Sequence, residues 1–245
     1  MGKHRRRKWR LYTFLSAMGV VSSKNEAELL ARDGKITVDD NVMKSLDYQI
    51  NPRKQIVKVK GKVIELKENR KYYAFNKPID IVCSKKEIIK FFDLPNALKN
   101  SLSPVGQLDK NTTGLLIVTN DGRLSRQVLV PKTKRWKTYE VVLDKVFKKD
   151  DIERLEGGVE IETEINDKKQ KYLTMPAKVR IMAPKKIHLS IMEGKKHQVK
   201  KMVTKVGYWV ESLKRISIAK LKLGTLKPGK YKEYDKEEIY RLLFE

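Results

Sequence analysis

The sequence predicts an α+β fold: a small N-terminal α/β domain followed by a larger domain built on a mixed, mainly antiparallel sheet. Three observations predict it. Strand patterns outnumber helical patterns, helices do not alternate strictly with strands, and a polar stretch near residue 67 divides the chain. The 245 residues suffice for two domains of ordinary size. We place the small domain at 1–66, a linker at 67–71 and the larger domain at 72–245.

Two short helices are predicted in the small domain. The first has an apolar stripe over residues 11–18 and ends at Gly19. The second begins at the capping-box pattern from Ser23 to Glu26 and ends at Gly34. The short strands predicted for this domain cover residues 35–38 and 56–60.

The larger domain contains a short, continuous apolar run, Leu115–Thr119, which ends at the turn pattern Asn120-Asp121-Gly122. Such a run predicts a buried strand. Apolar residues alternate over 216–218 and 221–223 with a slip of one residue, which predicts a strand with a bulge. Further strands are predicted over 72–75, 139–143 and 187–191, and helices over 150–155 and 199–206.

The chain is strongly basic. It has 55 Lys and Arg residues against 30 Asp and Glu residues, for a net charge of +25. The excess is spread along the chain, with +9 in residues 1–70 and +16 in residues 71–245. Such a charge favours a polyanionic partner, above all nucleic acid. An anionic membrane surface ranks second, because no amphipathic helix with an aromatic apolar face stands out and no apolar run could span a bilayer.

Cysteine and histidine are scarce. The single cysteine, Cys83, excludes an internal disulfide framework and is interpreted as a packing residue in a reducing, cytoplasmic setting. The histidines His4, His188 and His197 are far apart and predict no metal-ligand cluster. The basic N-terminus is not followed by a signal-type apolar segment.

Asp109 is the first candidate for chemistry. It lies in a stretch rich in turn-forming and capping residues, so a structural role in a turn is one interpretation. It also lies six residues before the start of the apolar run 115–118. A carboxylate close to an apolar wall needs a cationic partner to stay ionised, and a paired, desolvated carboxylate is a candidate nucleophile or base.

Two further candidates each have two interpretations. Lys196 and Lys200 stack one turn apart on the predicted helix over 193–206, and His197 and Lys201 begin a second polar row. This face either is an ordinary solvated surface or grips phosphates and holds a carboxylate. Tyr139 lies in a predicted strand and is either a core residue or an aromatic that stacks on an extruded nucleobase.

Residues 104–122 read PVGQLDKNTTGLLIVTNDG. Further motifs lie on either side of this stretch: Asn76-Lys77-Pro78, Val82-Cys83-Ser84, Lys137-Thr138-Tyr139, EGKKHQVKKM over 193–202 and LKRISIAKLKLGTLKPGKYKEY over 213–234. In order and spacing these motifs resemble those of the RNA pseudouridine synthases, in the branch that acts mainly on small- and large-subunit ribosomal RNA, and the stretch 104–122 resembles the main motif of that family. The N-terminal domain resembles a small RNA-binding domain of a ribosomal small-subunit protein.

The resemblance implies roles for particular residues. Asp109 would be the catalytic aspartate that isomerises uridine to pseudouridine, whether by attack on the sugar, attack on the base or proton removal. Tyr139 would pack against the target base, and Lys200 would pair with the aspartate. Leu221 or Leu223 would supply an apolar floor. Nothing is added to or removed from the substrate, so no cofactor and no metal is expected.

One residue departs from the family pattern. The family usually has Gly-Arg-Leu-Asp where this chain has Gly106-Gln107-Leu108-Asp109. Glutamine keeps a hydrogen-bonding amide but lacks the charge and planar donor fork of arginine. The residues expected to bind RNA are Gln107, Lys196, His197 and Lys201, with the N-terminal residues Arg5, Arg6, Arg7, Lys8 and Arg10.

The leading hypothesis is therefore an enzyme that isomerises a specific uridine in ribosomal RNA. The alternative is a synthase-like RNA-binding protein, weakly active or inactive, that acts in ribosome assembly. The residues 22–34 are expected to dock structured RNA, and the basic arm before them adds salt-dependent affinity. The expected partner is ribosomal RNA or an assembly intermediate, with no membrane and no second copy of the chain.

Overall fold

The computed structural model describes residues 8–52, 54–64, 70–129, 135–165 and 168–245. The chain separates into two compact units, residues 1–69 and 70–245. The division falls within the stretch 67–71, of which the structure describes residues 70 and 71.

The N-terminal unit packs two helices with short antiparallel strands. The elements are β1 Trp9–Arg10, α1 Leu11–Ala17, α2 Lys24–Arg32, β2 Ile36–Val38, β3 Asn41–Val42, β4 Gln49–Ile50, β5 Val57–Val59 and β6 Lys62–Val63. The four-stranded sheet has the order β3-β2-β5-β6, and β1 pairs separately with β4. The second helix begins as predicted: Ser23 Oγ accepts a hydrogen bond from Glu26 N at 3.2 Å, while the Glu26 carboxylate accepts from Ser22 N at 2.8 Å.

The second unit is built on one large sheet. Its elements are β7 Tyr72–Lys77, α3 Lys85–Ile88, α4 Asn96–Ser101, β8 Ser103–Val105, β9 Thr113–Thr119, α5 Gly122–Leu129, β10 Lys137–Leu143, α6 Asp151–Glu156, β11 Glu160–Ile165, β12 Lys168–Leu173, β13 Lys178–Ala183, β14 Lys186–Ile191, α7 Gln198–Lys205, β15 Val210–Ile218, β16 Leu221–Lys222, β17 Tyr231–Tyr234 and α8 Lys236–Phe244, with a 3-10 turn at Ile89–Phe91.

The strand order of this sheet is β13-β14-β10-β15-β9-β7-β17, and β8 and β16 add to β9 and β15. Among the described strands, β9 and β15 form the one parallel pair, and the other pairs are antiparallel. The predicted mixed, mainly antiparallel sheet is therefore confirmed. Strands β11 and β12 form a separate hairpin beside α7.

Both faces of the central strand β9 are covered. Leu116 and Val118 belong to one core cluster, and Leu115 and Ile117 belong to the other. All four side chains are fully buried. A strand buried on two faces needs apolar residues at every position, which explains the unbroken run in the sequence.

Two local predictions differ from the structure. The turn pattern at 120–122 leads into helix α5, which periodicity did not predict. In β15 the register against β10 shifts at Ile216, between Thr138 and Tyr139, and again at Glu211, between Val142 and Leu143. The slip between 218 and 221 is instead a turn, with Ala219 at a positive φ of 49°.

Candidate active site

Asp109 lies in the loop 106–112 that joins β8 to β9. Gly106 begins the loop with a φ of +74°, and the backbone carbonyl of Asp109 accepts a hydrogen bond from Thr112 N at 3.0 Å. Below the loop, Lys77 Nζ donates to the carbonyl oxygen of Lys110 at 3.2 Å. The aspartate is therefore held in a turn whose backbone is fixed from two sides.

Lys77 is a fully buried lysine at the end of β7. Its ammonium also donates to the carbonyl of Pro78 at 2.9 Å. Burial lowers the pKa of Lys77, and the nearby charge of Asp109 acts in the opposite direction. Sequence reasoning missed this residue, since a lysine at a strand end is most often exposed.

The imidazole of His197 contacts the Asp109 carboxylate. Its Nε2 lies 3.4 Å from Asp109 Oδ1, and the two side chains are 49% and 29% exposed. His197 precedes α7 in the left-handed conformation, with a φ of 56°. This backbone conformation brings the imidazole back toward the loop that carries the aspartate.

The expected direct pair between Lys200 and Asp109 is not formed. Lys200 Nζ donates instead to Asn111 Oδ1 at 2.5 Å. The reason is geometric: Lys200 lies almost one helical turn beyond His197, so it faces the second half of the loop. In this structure the lysine holds the loop, and the histidine contacts the carboxylate.

Tyr139 points from β10 into the same region. It is 8% exposed and lies between Leu189 of β14 and Arg215 of β15 in the sheet register. Residues directly opposite each other on antiparallel strands have side chains on the same face. Tyr139 and Arg215 are therefore side-by-side neighbours.

A cavity of about 550 Å³ joins these side chains. Its apolar wall includes Ile191, Leu213 and Ile218. The expected floor residues, Leu221 and Leu223, do not line it. They pack instead in the buried cluster that contains Ile239 and Leu243 of α8, because the chain turns after Ile218. Its polar lining comprises Gln107, Asp109, Thr112, Lys137, Tyr139, Lys195, Lys196, His197, Gln198 and Arg215.

Sequence reasoning also missed Lys137 and Arg215. Arg215 is 4% exposed, and its Nε donates to the carbonyl of Leu115 at 2.7 Å. Burial lowers the pKa of Lys137, and the charge of Arg215 lowers it further, while Glu193 opposes both. The sequence contains one signal that could have identified Arg215: it is a charged residue two positions from Leu213, on the buried face of a strand.

The predicted RNA-binding residues lie in different places. Gln107 is exposed at the cavity, and Lys196 donates to Glu164 of the β11–β12 hairpin at 3.0 Å. Lys201 lines an adjoining groove between α7 and the hairpin, together with His197, Lys200 and Lys205. In the N-terminal unit Lys8 and Arg10 are exposed. Arg5, Arg6 and Arg7 lie outside the described residues.

Cys83 is buried beside the loop, with its Sγ 3.8 Å from the carbonyl oxygen of Gly106. Burial raises the pKa of its thiol, which disfavours the nucleophilic thiolate. Across the described ranges, no cluster of His, Cys, Asp and Glu has the arrangement of a metal site. None of the helices in the same ranges has the length and apolarity to cross a bilayer.

Comparison with known proteins agrees with this geometry. Residues 71–205 match the family described as RNA pseudouridylate synthase, and residues 9–56 match the S4 domain. A ribosomal small subunit pseudouridine synthase A of Escherichia coli strain K12 is 33% identical over 85% of this chain and 89% of its own length. The corresponding protein of Yersinia pestis is 35% identical over 94% of this chain and 96% of its own.

A relative from Aquifex aeolicus strain VF5, named only as an RNA pseudouridine synthase, is 33% identical over 95% of this chain and 93% of its own length. A crystal structure of a pseudouridylate synthase superposes with a TM-score of 0.65 at 29% identity, covering 96% of this chain and 99% of the other.

The fold and the cavity thus define an isomerase that acts on RNA. The chain belongs to the RNA pseudouridine synthase family and is an RNA pseudouridine synthase with an N-terminal S4 domain.

Proposed function

We propose that this enzyme isomerises one specific uridine in ribosomal RNA to pseudouridine, with Asp109 as its catalytic carboxylate. The observation that carries the proposal is that the Asp109 carboxylate and the Tyr139 ring line one cavity of about 550 Å³. This volume is within the range of small-ligand sites, so a single extruded nucleoside fits its size. Relatives named as ribosomal small subunit synthases support the choice of ribosomal RNA.

The reaction breaks the C1′–N1 bond of the uridine, turns the base and joins C1′ to C5. The proton lost from C5 is balanced by the proton gained at N1, so substrate and product are isomers. Asp109 acts in its ionised form, because attack on the sugar, attack on the base and proton removal each require a carboxylate. Tyr139 packs against the uracil ring, and the apolar wall excludes water from it.

Lys200 and His197 organise the loop around the aspartate. Lys200 fixes Asn111, two residues beyond Asp109, and His197 provides a positive partner for the carboxylate when it is protonated. Both also line the groove between α7 and the β11–β12 hairpin, whose lysines form a path for phosphates on one side of the target. Gln107 lies exposed on the cavity, where it reaches the RNA next to the flipped base.

The two domains have different proposed roles. We propose that residues 1–66 bind structured RNA by shape and charge, that 67–71 connect the two parts, and that 72–245 perform the isomerisation. In the described part of the small domain, Lys8 and Arg10 are exposed, and Arg10 also lies 3.6 Å from the carboxylate of Asp47. We further propose that the enzyme works as a monomer in the cytoplasm, where its buried lone cysteine stays reduced.

The test is nucleotide-resolution mapping of pseudouridine in ribosomal RNA from cells with and without this protein. One site should disappear without the protein and return with the natural form. It should not return with Asp109→Asn, whereas Asp93→Asn, which removes an exposed carboxylate, should restore it. A map that does not change would favour the alternative of an RNA-binding protein that acts without turnover. A site restored by Asp109→Asn would refute the assignment of the aspartate.

A further inference from the structure

Two cationic side chains line the active-site cavity from its sheet side and have no part in the roles assigned so far. Lys137 enters from β10 and Arg215 from β15. Their mutual repulsion is visible in the lowered pKa of Lys137, to which burial contributes most and Arg215 next. Two positive charges placed together in a partly desolvated site are costly unless an acceptor joins them.

Arg215 has an unused donor at this position. Its Nε is satisfied by the carbonyl of Leu115, which fixes the guanidinium against β9. Its Nη2, by contrast, is buried and has no hydrogen-bond partner. A buried donor of a charged group that lacks an acceptor costs a few kcal/mol, so it requires an explanation. A hydrogen bond from Nη2 to the bound substrate provides that explanation.

The sheet register identifies the part of the substrate that Arg215 faces. Arg215 lies directly opposite Tyr139, with both side chains on the cavity face of the sheet. If the target uracil rests against the Tyr139 ring, the guanidinium lies at the edge of the base. The acceptors on that edge of uracil are its carbonyl oxygens, O2 and O4. Asp109, the one carboxylate among the described residues that line the cavity, already contacts His197.

The reaction makes these oxygens negatively charged. When N1 leaves the sugar, the electron pair of the C1′–N1 bond stays on the uracil and is shared by N1, O2 and O4. When a nucleophile adds to C6, the pair of the C5–C6 double bond moves to C5 and O4. Every route considered for Asp109 therefore builds negative charge on a carbonyl oxygen. Donors placed where charge develops are the usual means of stabilising such states.

We propose that Arg215, assisted by the positive charge of Lys137, donates a hydrogen bond through Nη2 to a carbonyl oxygen of the target uracil and stabilises its negative charge during isomerisation. The inference rests on the proposed function and adds to it a catalytic residue for the base. It also explains how the detached uracil is retained while it turns. The negative charge of the uracil is shared by N1, O2 and O4, so the cationic pair attracts the base in more than one orientation.

The experiment uses an RNA oligonucleotide that contains the mapped uridine, with tritium at C5. Its release is followed in a single turnover. The same RNA is prepared with 2-thiouridine or 4-thiouridine at the target, because sulfur accepts hydrogen bonds less well than oxygen. The wild-type enzyme, Arg215→Lys and the matched control Arg180→Lys, which changes an exposed arginine of β13, are compared on all three RNAs.

We expect Arg215→Lys to release tritium about 100-fold more slowly than wild type from the uridine RNA, with unchanged RNA affinity. The thio substitution at the oxygen that Arg215 contacts, either O2 or O4, should slow the wild type and Arg180→Lys about tenfold. The same substitution should change the rate of Arg215→Lys by less than about twofold. This loss of sensitivity is specific to a contact with the base, since a purely structural defect would slow all three RNAs equally.

Other outcomes would overturn the inference. If Arg215→Lys keeps the full thio sensitivity, Nη2 does not contact the base. If it weakens RNA affinity and leaves the single-turnover rate intact, its acceptor is a backbone phosphate. If Arg215→Lys does not fold, Lys137→Met provides the test, with a slower single turnover and unchanged RNA affinity expected; an unchanged rate would refute the role of the cationic pair. If the wild type releases no tritium from any RNA, the proposed function itself has failed.

Discussion

His197 Nε2 lies 3.4 Å from Asp109 Oδ1 although the histidine occupies the left-handed region of the backbone. This contact joins the loop before β9 to the start of α7. Non-glycine residues in that region carry a conformational cost, and asparagine tolerates it better than most. A costly backbone conformation is retained here at a point of direct contact with the proposed catalytic carboxylate.

We therefore expect His197→Asn to fold normally and to lower kcat/KM about tenfold, because it preserves the backbone but removes the imidazole that contacts the carboxylate. His197→Ala should show the same loss and should also lower the free energy of unfolding by about 1 kcal/mol. Urea denaturation and steady-state kinetics measure the two effects. Equal stability of the two variants would argue against backbone strain at this position.

Gln107→Arg restores the residue that this family usually has before the Leu-Asp pair. The added guanidinium lies at the cavity, where it gains a phosphate contact. We expect RNA affinity to rise severalfold at low salt, and the slope of log affinity against log salt to steepen by about one. Filter binding over a salt series measures the slope. Gln107→Lys is the control for charge without the planar fork, and a slope unaltered in both would contradict the contact.

Gly114 permits the close approach of the one parallel strand pair. Its φ is +102°, and a Cβ atom at this position would lie 2.3 Å from the carbonyl oxygen of Arg215. Gly114→Ala should therefore lower the free energy of unfolding by about 3 kcal/mol or more. Gly122→Ala, where a Cβ atom meets nothing within 4 Å, serves as the control. Similar melting temperatures for the two variants would refute the steric argument.

Lys77→Met separates stability from activity. Because burial lowers the pKa of Lys77, folding disfavours its charged form; this destabilisation is fully present below the folded-state pKa and vanishes as pH rises through the ordinary value of about 10.4. Methionine removes both this cost and the hydrogen bonds to the loop. The free energy of unfolding at pH 7 should thus stay within about 1 kcal/mol of wild type.

The activity of Lys77→Met should fall more than tenfold, since the carbonyl of Lys110, next to Asp109, is no longer held. Lys86→Met, at an exposed lysine of α3, should leave both quantities unchanged. Undiminished activity in Lys77→Met would show that the loop needs no support from β7.

Asp121 anchors the other end of β9. Burial alone would raise the pKa of its carboxyl, but hydrogen bonds from Arg123 N and the Tyr72 hydroxyl and the charge of Arg70 hold it below its usual range. A lowered carboxyl pKa stabilises the fold above the unfolded value of about 3.9, and this contribution is lost as pH falls through the folded value.

We expect Asp121→Asn to lower the free energy of unfolding by about 3 kcal/mol at pH 7. The difference from wild type should shrink as the pH falls below about 4, because the unfolded wild-type chain then binds a proton at Asp121 that the folded protein binds only at lower pH. Urea denaturation from pH 7 to pH 3.5 measures this trend, with Asp93→Asn as the control at an exposed carboxylate. A difference that is constant with pH would exclude ionisation as its source.

The sequence predicted elements whose signal is local. The apolar stripe of α1, the capped start of α2 and the buried run of β9 all appear in the structure near their predicted bounds. The pattern of each element reflects which of its faces is buried: one face in the two helices and both faces in β9. A short window of sequence is therefore enough to find it.

Some elements were missed although their signal is local: β11 alternates Ile161 and Thr163 with exposed glutamates, and Asp235 caps α8 by accepting a hydrogen bond from Glu238 N. Other features depend on distant neighbours. Lys77 and Arg215 are buried charges whose acceptors come from other parts of the chain. No pattern within a strand indicates such a partner, and the choice of His197 over Lys200 beside Asp109 depends on one backbone dihedral angle.

The position of β15 has a consequence for the folding of this enzyme during its synthesis. It lies in the middle of the sheet, between β10 and β9, but leaves the ribosome after both of them. Until residues 210–218 emerge, β9 and β10 each have an open edge, and Arg215 is missing from the cavity. The nascent chain therefore cannot complete the proposed site before residues 210–218 emerge. Assembly of the site waits for the insertion of β15 between β9 and β10, a slow step for a pairing so distant in sequence.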